Sequence, residues 1–133
     1  MPPSKTRNYI QDKGYNAAAA LTAFRAVKFS AAETVTPVTA ITDVIAGVVQ
    51  HGVTAGEITR GKGASIAVEG DTLMECSGNI AIGARVCLAA DGRAVTFTAG
   101  NRIIGHCVEA NADGAGGFAR VHLDLNGDVA GTA

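Results

Sequence analysis

The sequence is poor in the residues that carry most recognisable chemistry. It contains no Trp, two Tyr, four Phe, two Met and three Pro, and only 17% of its 133 residues are charged. This low charge excludes a coiled coil or a helical bundle covered with ion pairs. Lys and Arg number 11 against 12 Asp and Glu, so the chain also lacks the basic field that binds nucleic acid. Few aromatic side chains are available to stack on bases.

Long hydrophobic runs are also missing. None approaches the roughly 20 apolar residues that span a bilayer, so we expect no contact with a membrane. Residues 1–7 are not followed by an apolar segment of the kind a signal peptide needs, so we expect no export.

Cysteine is scarce and its spacing is uninformative. Cys76, Cys87 and Cys107 are an odd number and form no CxxC motif. This favours three free thiols that act as small hydrophobic side chains in a reducing compartment. One disulfide with a spare thiol is the alternative.

What the sequence has in abundance is residues that favour strands. Val, Ile and Thr number 13, 9 and 12 against 5 Leu, and 25 Ala and 17 Gly indicate a core of small residues with many tight turns. Short strands with regular turn signals predict a mainly β fold, a small β-sandwich or barrel-like domain. The predicted strands are residues 24–30, 35–38, 44–50, 65–69, 72–76, 84–88, 94–97, 102–109 and 118–125.

The two ends differ from this β domain. Residues 1–16 carry Pro, Lys and Arg without a clean period, which indicates an extended N-terminal arm. The β domain then covers residues 17–125, and residues 126–133 form a flexible tail. The alanine run after Asn16 fits either a capped helix or a loop, and we favour a loop or a brief helical turn.

A weak internal repeat runs through the β domain. Gly47 and Gly105 are 58 residues apart, as are Gly56 and Gly114, and the first glycine of each half lies within an apolar segment. Such a glycine marks a bulge or a close backbone approach, and two such halves could pack their inner faces together. Chance similarity in a chain rich in Gly and Ala is the alternative.

No set of residues converges on a reaction. His51, His106 and His122 have no metal-site spacing, and His106 and Cys107 would point to opposite faces of a strand. Most Asp residues stand beside glycine in turns. The glycines around Lys62 lack the phosphate-loop frame, and no serine lies in a GxSxG elbow. We therefore expect no enzyme, no cofactor and no metal.

The layout of the chain nevertheless follows a known pattern. It begins with Asn8, Tyr9, Ile10 and Gln11 and continues through short motifs of glycine and valine at set distances, at residues 27–29, 35–38, 45–50, 56–57, 68–70, 83–86, 91–94, 104–109 and 119–123. In this layout the sequence resembles the capsid decoration, or cement, proteins of tailed phages. It departs from them in a longer start with Pro and Lys, and in Lys13 before Gly14.

The resemblance implies a structural role. Such proteins bind the outside of the phage head and stabilise the shell against the pressure of packaged DNA. It implies the major capsid protein as partner, a homo-oligomer with a trimer favoured, a place on the outer capsid surface of the virion and synthesis in the host cytoplasm. The arm would contact the capsid through Arg7, Asn8, Tyr9, Ile10 and Gln11, and could add a strand to an exposed edge.

Two further expectations accompany this one. A core of Ala and Gly buries little apolar area per residue, so the chain gains by self-association, and any of Phe24, Phe29, Phe97 and Phe118 could lie at a subunit contact. The alternative function is a small β-barrel binding module for a glycan or a host surface ligand, with residues 61–63 and 113–117 as its loops. The absence of Trp weighs against a sugar site.

Overall fold

The structure is a computed structural model that describes residues 11–125 and residue 130. This part of the chain forms nine strands and one five-residue helix, none of it a helix long and apolar enough to cross a membrane. The elements are β1 (Gln11–Ala17), β2 (Ala26–Ala31), β3 (Thr34–Pro37), β4 (Ile45–Val49), α1 (Ala55–Thr59), β5 (Ala64–Glu75), β6 (Arg85–Leu88), β7 (Ala94–Thr96), β8 (Ile103–Glu109) and β9 (Phe118–Leu123).

The first five strands form a barrel. Their order is β1-β3-β2-β4-β5, and β5 also pairs with β1, which closes the ring of hydrogen bonds. The predicted mainly β, barrel-like fold is therefore confirmed. Small and β-branched side chains fill this first barrel: Tyr15, Ala17, Leu21, Val27, Val35, Ala46, Val49, Val53, Ala64 and Ile66.

The later strands form a second, similar unit, which we call the second barrel. Its order is β5-β9-β8-β6-β7. Cys76, directly after β5, forms a bridge with Ala94 of β7 and so closes this unit as well. Its interior contains Met74, Cys76, Ile80, Val86, Leu88, Ala94, Ile104, Cys107, Ala119, Val121 and Leu123.

The strand β5 belongs to both barrels. Its residues up to Glu69 pair with β1, and from Gly70 onward they pair with β9. The predicted turn at residues 68–70 is therefore wrong, because β5 is one strand of 12 residues. Gly70 has φ of 92°, a conformation that glycine adopts without steric penalty, so the pairing changes partner there without the strand ending.

The two barrels repeat one pattern of strand pairing. In the first, Val27 pairs with Gly47 beside a bulge, and in the second, Val86 pairs with Gly105 beside a bulge. The same holds for the bridges Ala17–Val35 and Cys76–Ala94, for Leu21–Val53 and Ile80–Asn111, and for Asp12–Ala67 and Asp71–His122. Counterparts are 59 residues apart up to β3 and β7, 58 apart in β4 and β8, and 55 apart in β5 and β9. The chain is thus an internal duplication, in which the second half of β5 corresponds to β1.

The backbone conformation is duplicated as well. Phe24 and Glu33 are the non-glycine residues with positive φ in the described chain, at 64° and 53°. Their counterparts are Gly83 and Gly92, at 80° and 86°. Each of these turns therefore demands the left-handed region, and only one copy of each fills it with glycine.

The predicted repeat is confirmed in one half and wrong in the other. Gly47 and Gly105 are counterparts, and a Cβ on either would overlap a carbonyl oxygen of the next strand, that of Ala67 or of His122. Gly56 and Gly114 do not correspond, because Gly56 lies in α1 and Gly114 in a turn without a helix. The two halves also do not pack their inner faces together, since they follow one another along β5.

The predicted domain boundaries change at both ends. Residues 11–16, predicted as part of the arm, lie in β1, where Tyr15 and Ala17 are buried and Asn16 between them is exposed. Without β1 the edges of β3 and β5 would stay unpaired. In the predicted flexible tail only Ala130 is described, and it is buried and exchanges two backbone hydrogen bonds with residues 100 and 101.

The duplicated glycine generates a direct test of the fold. Gly105→Ala should lower the free energy of unfolding by about 3 kcal/mol or more, because the strands must separate to admit a methyl group. Gly14→Ala, in β1, is the matched control, since a Cβ there meets nothing within 4 Å, and should change stability by at most about 0.5 kcal/mol. Chemical denaturation measures both, and equal effects would refute the close approach at Gly105.

The positive φ of Glu33 generates a second test. Glu33→Gly should raise the free energy of unfolding by about 0.5–1 kcal/mol, because it gives this turn the residue found at its counterpart Gly92. Glu33→Ala keeps the Cβ and should bring no such gain. If thermal denaturation shows the same midpoint for both variants, the left-handed conformation of this turn is contradicted.

Candidate interaction surfaces

The predicted arm residues fall at the start of the described chain. Gln11 is the first residue of β1, and its backbone pairs with Glu69, next to the point where β5 passes from one barrel to the other. Arg7, Asn8, Tyr9 and Ile10 lie outside the described residues. The chain before β1 therefore departs from the junction of the two barrels.

The histidines form a polar row across the outer face of the second barrel. His122 Nδ1 lies 2.7 Å from Asp71 Oδ1, and the His122 ring lies 5.2 Å from that of His106. His106 is in register with Arg85 on β6. Within residues 11–125 and residue 130, no group of three or more metal-ligating side chains is present. His106 is exposed and Cys107 is buried, as the alternation of a strand predicts.

The cysteines are packing residues. Within the described chain all three are free and buried. Burial raises the pKa of the Cys76 and Cys107 thiols above the ordinary value, which disfavours the thiolate that would act as a nucleophile. The expected free thiols are therefore confirmed.

A cluster of charges ties the two barrels together at their junction. Arg25 Nε donates to Glu75 Oε1 at 3.0 Å, and this hydrogen bond raises the pKa of Arg25, against a smaller opposing effect of burial. Arg93 Nε lies 3.1 Å from the other oxygen of Glu75, at an angle outside hydrogen-bond alignment, and 3.3 Å from Asp91. Because Glu75 ends β5 and Arg25 precedes β2, the cluster joins the barrels and contains no nucleophile.

A shallow cavity of about 140 Å³ lies beside this cluster. Arg25 and Asp91 are the charged side chains at its wall, and the remaining lining residues are Leu21, Thr22, Ala26, Val27 and Pro37. An arginine and an aspartate engaged in ion pairs with Glu75 and Arg93 supply no acid–base pair for a reaction.

The two predicted ligand loops are braced from within. Lys62 Nζ contacts Glu57 Oε2 at 3.1 Å, and Glu57 forms a capping box with Thr54 at the start of α1. The buried Asn111 side chain donates to the carbonyls of Gly78 and Gly114. These side chains serve the loops themselves.

The exposed apolar side chains are the remaining surface feature. The large hydrophobic residues that stay exposed within the described chain are Phe29, Ile41, Val44, Ile82, Phe97 and Phe118. Two of them pack on a neighbour: Phe118 contacts Phe24 edge-on, and the Arg85 guanidinium lies 5.9 Å from the Phe97 ring centroid. Sequence reasoning named three of the six among its candidate contact residues, but had no means to distinguish them from the core.

Comparison with known proteins gives one structural likeness to report. No family model matches the chain, and no curated protein matches it. The chain is similar in structure to the N base of the head fiber gp8.5 of bacteriophage phi29, with a TM-score of 0.65 and 15% sequence identity. The similarity covers 87% of this chain and 95% of that one. It shows that the whole two-barrel architecture is a shared fold.

Proposed function

We propose that this protein is a structural component of a phage head that binds the outer surface of the capsid and stabilises the shell against internal DNA pressure. The observation that carries the proposal is the likeness to the head fiber base, which extends over both barrels. The proposed partner is the major capsid protein. The proposed place is the outer surface of the virion, after synthesis in the host cytoplasm, with a homotrimer as the favoured assembly.

The duplication supports a contact role for the N-terminal arm. By their position in the sequence, residues 5–10 precede β1 as residues 64–69 precede the second half of β5. Residues 64–69 are the strand that completes the preceding barrel. We infer that the arm acts in the same way toward a capsid subunit, adding a strand to an exposed sheet edge.

The composition of the arm fits this role. Tyr9 and Ile10 are its large apolar side chains, and each would contribute roughly 1.5–3 kcal/mol if fully buried in the partner. Arg7 and Asn8 would supply polar contacts beside them. Many such arms repeated over a shell bind more tightly than one alone, because the capsid presents many sites at once.

Removal of residues 1–10 tests this role. The truncated protein should keep both barrels, because β1 begins at Gln11, and should bind empty heads of its own phage at least ~10-fold more weakly. Co-sedimentation with heads that lack the protein measures the binding, and circular dichroism checks the fold. Removal of residues 1–16 is not an equivalent test, since it deletes most of β1.

Matched substitutions make the test specific. Tyr9→Ala with Ile10→Ala should weaken binding nearly as much as the truncation, whereas Lys5→Ala with Thr6→Ala should leave most of it. Undiminished binding by the truncated protein would refute the arm as a capsid contact. Failure of the intact protein to bind the heads would refute the proposed function itself.

A further inference from the structure

The joint between the two barrels has two sides. On the first barrel, Ala26 and Val38 belong to the same buried cluster as the interior of the second barrel. On the second barrel, Leu88 belongs to that cluster, and Gly92 at the tip of the β6–β7 hairpin accepts a 2.8 Å hydrogen bond from Ala26 N. We call Ala26 and Val38 the joint face, and Leu88, Gly92 and Arg102 the joint tip.

Arg102 extends this joint. Its backbone N donates to the carbonyl of Ile41, and its guanidinium donates to the carbonyl of Thr42 at 2.9 Å. The loop before β4 is thereby held against the loop before β8. The joint is therefore continuous from the hairpin tip to these loops.

Because the chain is duplicated, each side of the joint has a counterpart on the other barrel. The counterparts of the joint face are Arg85 and Phe97, on the second barrel. The counterparts of the joint tip are Phe29, Glu33 and Val44, on the first barrel. Within one copy of the chain, the internal joint occupies neither of these counterpart surfaces.

The exposed apolar residues are concentrated at these counterpart positions. Phe97 is 41% exposed where Val38 is 4% exposed, and Phe29 is 51% exposed where Leu88 is fully buried. Val44, the counterpart of Arg102, is 62% exposed. Three of the six large exposed hydrophobic residues of the described chain thus lie where the internal joint is formed in the other barrel.

Charge distinguishes the two counterpart surfaces in a complementary way. The internal contact between Ala26 and Gly92 becomes, at the counterpart positions, a contact between Arg85 and Glu33. Neither Arg85 nor Glu33 forms an ion pair with another residue in residues 11–125 or residue 130. Opposite charges at one contact steer association and fix its register.

The second contact cannot copy the first without adjustment. A Cβ on Gly92 would lie 2.7 Å from the Ala26 carbonyl oxygen, and Glu33 carries such a Cβ. The two surfaces must therefore stand further apart than in the internal joint. The larger side chains fit that spacing, since Phe97 replaces Val38 and Phe29 replaces Leu88.

We propose that copies of this chain associate head to tail, with the surface formed by Phe29, Glu33 and Val44 of one copy docked on the surface formed by Arg85 and Phe97 of the next. The occupant of each surface is thus a second copy of the chain. Because the two surfaces differ, the contact is heterologous, and its repetition closes a ring or extends a filament. The inference does not depend on what the assembly binds.

Engineered cysteines test the geometry. Air oxidation of the Glu33→Cys, Arg85→Cys double variant should give covalent dimers and higher multimers on a non-reducing gel, since the corresponding backbones in the internal joint are hydrogen bonded. Each single variant should stay at one chain, because residue 33 then faces residue 85 of its neighbour. Efficient cross-linking of either single variant would indicate a symmetric contact and overturn the proposal, as would no cross-linking of the double variant.

The mass in solution gives an independent test. The intact protein should have a light-scattering mass that is a multiple of 13.4 kDa, and Phe29→Asp or Phe97→Asp should weaken the association at least ~10-fold. Ile82→Asp is the control, because Ile82 is exposed but its counterpart, Ala23, lies outside the joint. An intact protein with the mass of one chain refutes the proposal, even if Phe97→Asp weakens binding to heads, which would assign the surface to the capsid.

Discussion

The rest of the structure depends on one uninterrupted strand, β5. Its first half supplies the last strand of the first barrel, and its second half supplies the first strand of the second barrel. A chain this short, with a core mainly of Ala and Val, gains little stability from each small interior. Because both barrels need backbone hydrogen bonds from the same strand, neither is complete without the other, and Gly70 allows the strand to pass between them.

The differences between the two copies follow from what each one contacts. Ala26, Val48 and Ala67 of the first barrel are buried in the cluster that includes the interior of the second. Their counterparts are Arg85, His106 and His122, which lie on the outer face of the second barrel. The histidines are therefore explained by position, as polar residues where the array of barrels ends. The same comparison isolates Phe29 and Phe97, which stay apolar where a terminal surface would be polar.

The fold class and most strands could be predicted because they depend on local pattern. The alternation of residues 118–125 and the glycine pair Gly47 and Gly105 carry that information in the sequence itself. The shared strand could not be predicted, because Gly70 has the sequence signal of a turn and only its partner β9 holds it in a strand. Helix α1 was missed although Thr54 and Glu57 have capping-box spacing. The spacing between counterparts changes from 59 to 55 residues, which hides the duplication from a search at one fixed offset.

Much less of the candidate site could be predicted. Arg7, Asn8, Tyr9 and Ile10 lie outside the described residues, so their role stays a proposal, and β1 shows that the arm is shorter than its composition suggests. Which of the four phenylalanines lie on the surface depends on the pairing of strands distant in sequence, and no local pattern contains it. The polar face of β9 was predicted correctly, because alternation alone determines it.

The coupling of the two barrels through β5 is tested most directly by native-state hydrogen exchange along that strand. If the strand is shared as described, the amides of its first half, such as Ile66, and of its second half, such as Thr72, should exchange with the same free energy, that of unfolding the whole protein. A lower free energy in one half, with the other half still protected, would show that the barrels open separately and would contradict this account.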